Sequence, residues 1–438
     1  MGSTIKVAAT GDSIINMQIS VHKEPEFLSL FEKIKEADVR FTNFEVVLSP
    51  FDEGYPAAEY GIPYQIAEPR IADEYRWAGF NIVSRANNHA VDWGYQGLFN
   101  SSKALDDRGI IHAGVGRNLS EARSPGYLET DKGRVALISS ASSFPSFGRA
   151  GEARRDVQGR PGLNPLRYER ELRITSESLG HLKTIFNSIG AETAIGPITE
   201  NSITYGRGLR AIKFVESESP GLHTEPYEFD LQGNLASIRD ARRMADLVLV
   251  THHGHEDDGS DRFKPAKFIE AYARACIDAG ADAFLGHGPH LIRGIEIYKG
   301  KPILYSMGNF VFQFDVSKFQ GQEHYDRYGL KSESYPSEAY DAAREQASRK
   351  DWRDWHGFAF ESAFWDSIMA ELTFNGRELT EFTLIPATLG FTNPRTQRGR
   401  PMRASHEDSI GILEHISKYS TTYNTQIDVE DDTGIVRL

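Results

Sequence analysis

Two imidazoles three residues apart, His287 and His290, sit in Gly286-His287-Gly288-Pro289-His290, directly after the apolar run Ala281–Leu285. Such a run reads as a buried strand. Glycine and proline stop it and hold both rings on one tight turn. Two histidines at a strand end can turn toward one point, as a metal site requires. The same pattern recurs along the chain. Asp246–Val250 runs into Thr251-His252-His253-Gly254-His255-Glu256, Thr4–Thr10 into Gly11-Asp12, Val39–Phe44 into Glu45, and Asn81–Ser84 into Asn87-Asn88-His89 with Asp92 beyond. The carboxyl edge of an α/β sheet is where such folds place ligands.

Collected, Asp12, Glu45, Asn88, His89, His252, His287 and His290 form a mixed carboxylate, amide and imidazole set. It suits zinc, manganese or iron rather than calcium alone. Two such ions would polarise a substrate oxygen and generate hydroxide at neutral pH, with Glu45 as the natural bridge. His89, left off the metals, would donate a proton to the leaving group, and Asp92 would orient it. Covalent catalysis has less behind it, because Ser13, Ser306 and Cys276 lack a nucleophile framework. His253 and Asn309, on strand-end turns, are expected to face the substrate.

The elements that must position these groups alternate strand and helix. Helical spacing covers Glu26–Ala37, Ala72–Gly79, Glu171–Ile189, Gly233–Ala245, Pro265–Ala279 and Ser405–Ser417. Ser202–Phe214 and Thr224–Asp230 read as a peripheral hairpin, and Trp365–Phe374 with Leu379–Pro386 as closing strands. Between Phe147 and Arg170 the chain turns rich in Arg, Gly and Pro, and Arg154, Arg155 and Arg160 are candidates for holding an anionic group. The segment Gln313–Ser362 reads as an insertion over the site.

At 438 residues, 39% hydrophobic and 25% charged, the composition is that of a soluble globular protein. A net charge of −13 argues against a broad nucleic-acid surface. No apolar run approaches the ~18–20 residues that span a bilayer. No secretory signal is visible, so a cytoplasmic location is expected. A single cysteine, Cys276, excludes an internal disulfide framework and reads as core. The sequence carries no signal for an oligomeric state.

The series Gly11-Asp12, Thr42–Glu45, Ala86–Gly94, His252–Glu256, Gly286–His290 and Tyr305–Phe312 resembles the bacterial capsule-synthesis CapA family, the poly-γ-glutamate synthesis type. The resemblance runs in order from about Lys6 to Phe312. It implies a four-layer αββα, calcineurin-like metallophosphoesterase fold with inserted lid segments. On that reading residues 1–438 form one domain, with insertions at 147–230 and 313–362 and a closing segment at 363–438. It further implies two divalent ions: Asp12 and His290 on one, Asn88, His252 and His287 on the other, Glu45 bridging, His89 as acid. The chain departs from the phosphoesterase D-x-H opening, having Asp12-Ser13-Ile14, and has Glu45 where those enzymes bridge with Asp. The implied function is a metal-dependent hydrolase, in which metal-bound hydroxide attacks a phosphoester or an amide, γ-glutamyl bonds included, of an anionic or polyglutamate-like substrate. The alternative is a non-catalytic accessory protein that binds the polymer.

Overall fold

Strand alternation divides the apolar residues of the first strand, Thr4–Ile14, between two cores: Ile5, Val7 and Ala9 face one, Ala8 the other. The same division holds in Leu247–His253, where Leu247 and Leu249 join the first core and Val248 and Val250 a third. In the computed structural model, which describes residues 3–58, 63–189, 195–206, 211–347, 358 and 360–438, this parity builds four layers. A ten-stranded sheet runs in the order Ile427–Glu430, Thr433–Val436, Glu378–Thr388, Asp366–Asn375, Thr4–Ile14, Val39–Phe44, Ile82–Ser84, Ile111–Ala113, with Asn309–Phe312 paired to the end of the first strand and Met402–Arg403 to Glu378–Thr388. A six-stranded sheet runs Ile295–Tyr298, Lys301–Leu304, Ala283–His287, Leu247–His253, Gly133–Ala141, Gly126–Thr130.

Their facing sides share one core, in which Val7, Phe41 and Ile82 meet Leu137, Leu249 and Leu285. Helices Pro25–Lys35 and Ala72–Ala78 cover the outer face of the larger sheet through Phe27, Phe31 and Tyr75. Glu228–Met244 and Lys267–Ala279 cover the smaller through Ile238, Phe268 and Tyr272, and Cys276 is buried in that layer. This is the αββα sandwich that the motifs implied. No helix among the described residues is long and apolar enough to cross a membrane.

The region after Arg160 differs from expectation. A five-stranded sheet stands where a hairpin was read, ordered Ile195–Ile198, Ser202–Tyr205, Ile212–Glu216, Tyr168–Ile174, Gly221–Pro226. Glu171–Ile174 is strand, and the helix starts at Ser176. The Glu- and Arg-rich run favours a helix locally, but pairing on both sides, with Lys213–Glu216 and Gly221–Pro226, overrides that preference. Residues 224–230 divide between the strand Gly221–Pro226 and the helix from Glu228.

In the insertion after Phe312, helices Gln322–Arg327 and Pro336–Ala347 lie beside the loop that leads to the site. Gln320 accepts from the Tyr64 amide at 2.9 Å and donates to its carbonyl at 2.8 Å. His324 is buried among Tyr325, Tyr328 and Tyr340, and neither ring nitrogen has a hydrogen-bond partner among the described residues. Burial pushes its pKa down to about 4, with the Arg327 charge adding. The unfolded chain therefore binds the proton more readily. Stability from this group is complete above pH 6.5, falls as pH drops toward 4, and loses up to about 3 kcal/mol. Hydrogen exchange should show residues 320–345 opening first on acidification, and His324→Leu should remove that sensitivity.

Candidate metal centre

Four strands of the two sheets end at one point. Asp12 stands opposite Asn43 in the pairing of the first two strands of the larger sheet, and Glu45 follows one residue beyond Phe44. From the smaller sheet, His253 stands opposite His287. Asp12 Oδ1 lies 3.7 Å from His253 Nδ1 and 3.5 Å from His287 Nδ1, and Oδ2 lies 3.5 Å from His290 Nδ1. Glu45 Oε1 lies 3.7 Å from His253 Nε2 and 3.8 Å from His290 Nε2. His255 Nε2 is 3.1 Å from His253 Nε2. Three overlapping groups, Asp12/His253/His287, Glu45/His253/His255 and Asp12/Glu45/His290, each keep their donor atoms within 4.8 Å of one another.

Neighbouring groups fix these donors. Asp12 accepts from Asn43 Nδ2 at 2.8 Å and from the Gly288 amide at 3.0 Å. Gly288 takes φ 118°, and a Cβ there would stand 2.8 Å from the Gly254 nitrogen, so the turn needs glycine. His290 Nδ1 is 2.7 Å from Asn309 Oδ1 and donates to it, leaving Nε2 free. His287 Nε2 is held by Thr251 Oγ1 at 2.5 Å and Ser84 Oγ at 3.2 Å, which turns Nδ1 toward Asp12.

The donor set fits a divalent metal. Both Glu45 oxygens and Asn88 Oδ1 are buried without a hydrogen-bond partner among the described residues. A buried carboxylate left that way is costly unless a cation compensates it. Burial raises the Glu45 carboxyl well above its usual pKa, and the Asp12 charge adds to this. Burial also raises Asp12, opposed by His290 and Asn43. His253 and His287 are pushed well down by burial, and so present the neutral imidazoles that metals bind. Such mixed nitrogen and oxygen ligation suits zinc, manganese or iron.

His252 is not in this group. It continues the outward parity of Val248 and Val250, packs edge-on against Tyr272, and bonds Ser140 and Ser142. His253, read as facing substrate, takes the inward place because adjacent strand residues point to opposite faces. His255, outside the ligand set that the motifs imply, joins Glu45 and His253. Its signal was two-residue spacing from His253. Asn309, also expected at the substrate, sits behind His290 and donates to the Phe364 carbonyl at 2.9 Å.

His89 Nδ1 lies 2.6 Å from Asp92 Oδ2, which also accepts from the Gln65 amide at 2.7 Å. Asn88, Asp92 and His255 line a cavity of about 680 Å³ whose far wall is the five-stranded sheet. Arg154, Arg155 and Arg160 do not line it: Arg154 pairs with Asp156 at the surface, Arg155 is exposed, and Arg160 donates to the Arg149 carbonyl. Among the described residues the cations in its wall are Arg167, Arg170 and Lys213, carried by or next to the paired strands of that sheet.

Comparison with known proteins agrees with this architecture. Residues 6–314 match the family model described as bacterial capsule synthesis protein PGA_cap. The chain is 36% identical over 436 residues to a Sinorhizobium fredii protein named uncharacterized protein y4sH, covering 99% of this chain and 93% of that one. It is 27% identical over 282 residues to the capsule biosynthesis protein CapA of Bacillus anthracis, covering 64% of this chain and 51% of the relative. It is also 27% identical over 238 residues to a probable polyglutamine synthesis accessory protein of Mycobacterium tuberculosis, covering 54% and 46%. The chain thus belongs to the bacterial capsule synthesis family, PGA_cap.

Proposed function

We propose that this protein is a metal-dependent hydrolase that cleaves an amide or phosphoester bond of an anionic substrate, polyglutamate-like compounds among them. The observation that carries this reading is the convergence of Asp12, Glu45, His253, His255, His287 and His290, of which His255 also lines the cavity, with both Glu45 oxygens unpartnered among the described residues. These six residues, with Asn88, would hold one or two divalent ions. Bound there, manganese, iron or zinc would supply Lewis acidity toward a substrate oxygen and toward water.

The chain's own groups supply the rest. The Asp92 carboxylate accepts the hydrogen bond of His89 Nδ1–H and stabilises the imidazolium, so that Nε2–H gives its proton to the departing oxygen or nitrogen. Arg170 and Lys213 offer cations to the substrate's anionic end. Replacing His89 with alanine should lower the turnover number roughly a hundredfold or more while metal content stays at the wild-type level. A wild-type rate would remove the proton-donor role.

Elemental analysis of chelator-free protein, followed by assays on phosphoesters and γ-glutamyl amides, tests the whole reading. Bound metal with turnover is the expected result. Absence of metal even after reconstitution would overturn it. Bound metal without turnover on either class would favour a second reading, a polyglutamate-binding accessory role, in line with the capsule biosynthesis name of the Bacillus relative and the polyglutamine synthesis accessory name of the Mycobacterium one.

A further inference from the structure

The wall of the cavity next to His255 holds an arrangement that the proposed hydrolysis does not use. Glu256 Oε1 accepts from Ser143 Oγ at 3.0 Å, and Oε2 accepts from Ser142 Oγ at 2.7 Å. Ser142 Oγ is also 3.0 Å from His252 Nε2, and His252 Nδ1 is 3.0 Å from Ser140 Oγ. One tautomer satisfies the chain: Ser140 donates to Nδ1, Nε2–H donates to Ser142, and Ser142 donates to Glu256. Gly254 leaves the room, since a Cβ there would stand 2.8 Å from Ser142 Oγ, 3.0 Å from His252 Nε2 and 3.1 Å from Glu256 Oε2. Three serines and a fully buried imidazole thus fix the plane of one carboxylate.

Ser142, Ser143 and Glu256 all line the cavity. An ionised carboxylate only accepts hydrogen bonds, and two serine donors leave part of its accepting capacity toward the ligand. An amine or amide N–H satisfies it, whereas a phosphate or carboxylate at the same place is repelled. The opposite wall offers Arg170, and Lys213 paired with Glu171 at 2.6 Å.

We infer that Glu256 is a specificity-determining residue, positioned by Ser143 and, through Ser142, by His252, and that it selects ligands bearing an amine or amide N–H beside the reacting bond together with a carboxylate that reaches the Arg170 wall. The substrate class is then an amino-acid amide rather than a simple phosphoester. This rests on the hydrolase reading above for the word substrate, but its test needs no turnover.

Glutamate and glutarate carry the same two carboxylates and differ in the amine. Neither has a bond to hydrolyse. Titrated by NMR into metal-reconstituted protein, glutamate should bind about tenfold or more tighter than glutarate. Glu256→Gln should abolish most of that preference, weakening glutamate while glutarate binds at least as tightly as to the wild type. Ser143→Ala, at the rim, should reduce it in the same sense, with circular dichroism unchanged. Equal affinity for the two ligands in the wild type, no binding of either, or an unaltered preference in Glu256→Gln would each overturn the inference. A protein that prefers glutamate yet hydrolyses nothing would overturn the hydrolase reading alone.

Discussion

Asp12→Ala should strip most of the metal from the centre. Asp12 belongs to two of the three donor groups and touches His253, His287 and His290 from a single side chain. Bound metal is expected to fall below half the wild-type content, and hydrolysis to fall about a thousandfold or more, since metal catalysis is worth several kcal/mol and each 1.36 kcal/mol is about tenfold. Asn43→Ala supplies the graded comparison. Asn43 orients Asp12, stands 3.3 Å from His253 Nδ1 and accepts from Ser84 and Asn87 without belonging to a donor group, so a loss of about 10–100-fold in metal affinity is expected there. Plasma emission spectrometry on chelator-free preparations of all three proteins measures this directly. Full metal content in Asp12→Ala would mean that the ions sit elsewhere.

The second large effect is on the scaffold. A Cβ at Gly11 would lie 1.9 Å from the Gly308 carbonyl oxygen and 2.9 Å from its carbon, both backbone atoms that cannot rotate away. The contact is needed, because the Asp12 amide donates to that same oxygen at 2.9 Å. Gly11→Ala must push the strand Asn309–Phe312 away from the first strand, at a cost of about 3 kcal/mol or more. Urea unfolding should show a lower midpoint, and metal affinity should fall with it because Asn309 holds His290. A midpoint equal to the wild type would show that the two strands separate freely.

Much of the site was legible because a short apolar strand ending in glycine and a polar residue has few other uses. Asp12, Glu45 and His287 were read that way, and they stand together. Parity was legible too, in principle. Counting inward from Leu247 and Leu249 gives Thr251 and His253, not His252. His252, which the motif places on a metal, falls on the opposite parity and faces Tyr272. His255 lies beyond the strand, where alternation no longer dictates direction, so only the turn back from His287 through Gly254 brings it in. The cations of the cavity were harder. A local excess of arginine at 154–160 marks a solvated loop, whereas Arg170 and Lys213 become neighbours through pairing of strands some forty residues apart, which no local pattern encodes.

That the donors span residues 12 to 290 has a consequence for how the protein folds. Parallel strands joined by long crossovers close their contacts late, because each requires a large loop to be ordered first. Neither sheet alone contains a complete donor group, since every group takes its carboxylate from the ten-stranded sheet or the turn after it and its imidazoles from the segments that end the six-stranded one. Under the proposed metal binding, capture of an ion would therefore be a terminal event that follows docking of the two sheets. During synthesis no donor group is complete before His255 has left the ribosome, nor all three before His290, and in refolding experiments uptake should lag the recovery of secondary structure, so that a bound ion would report on docking.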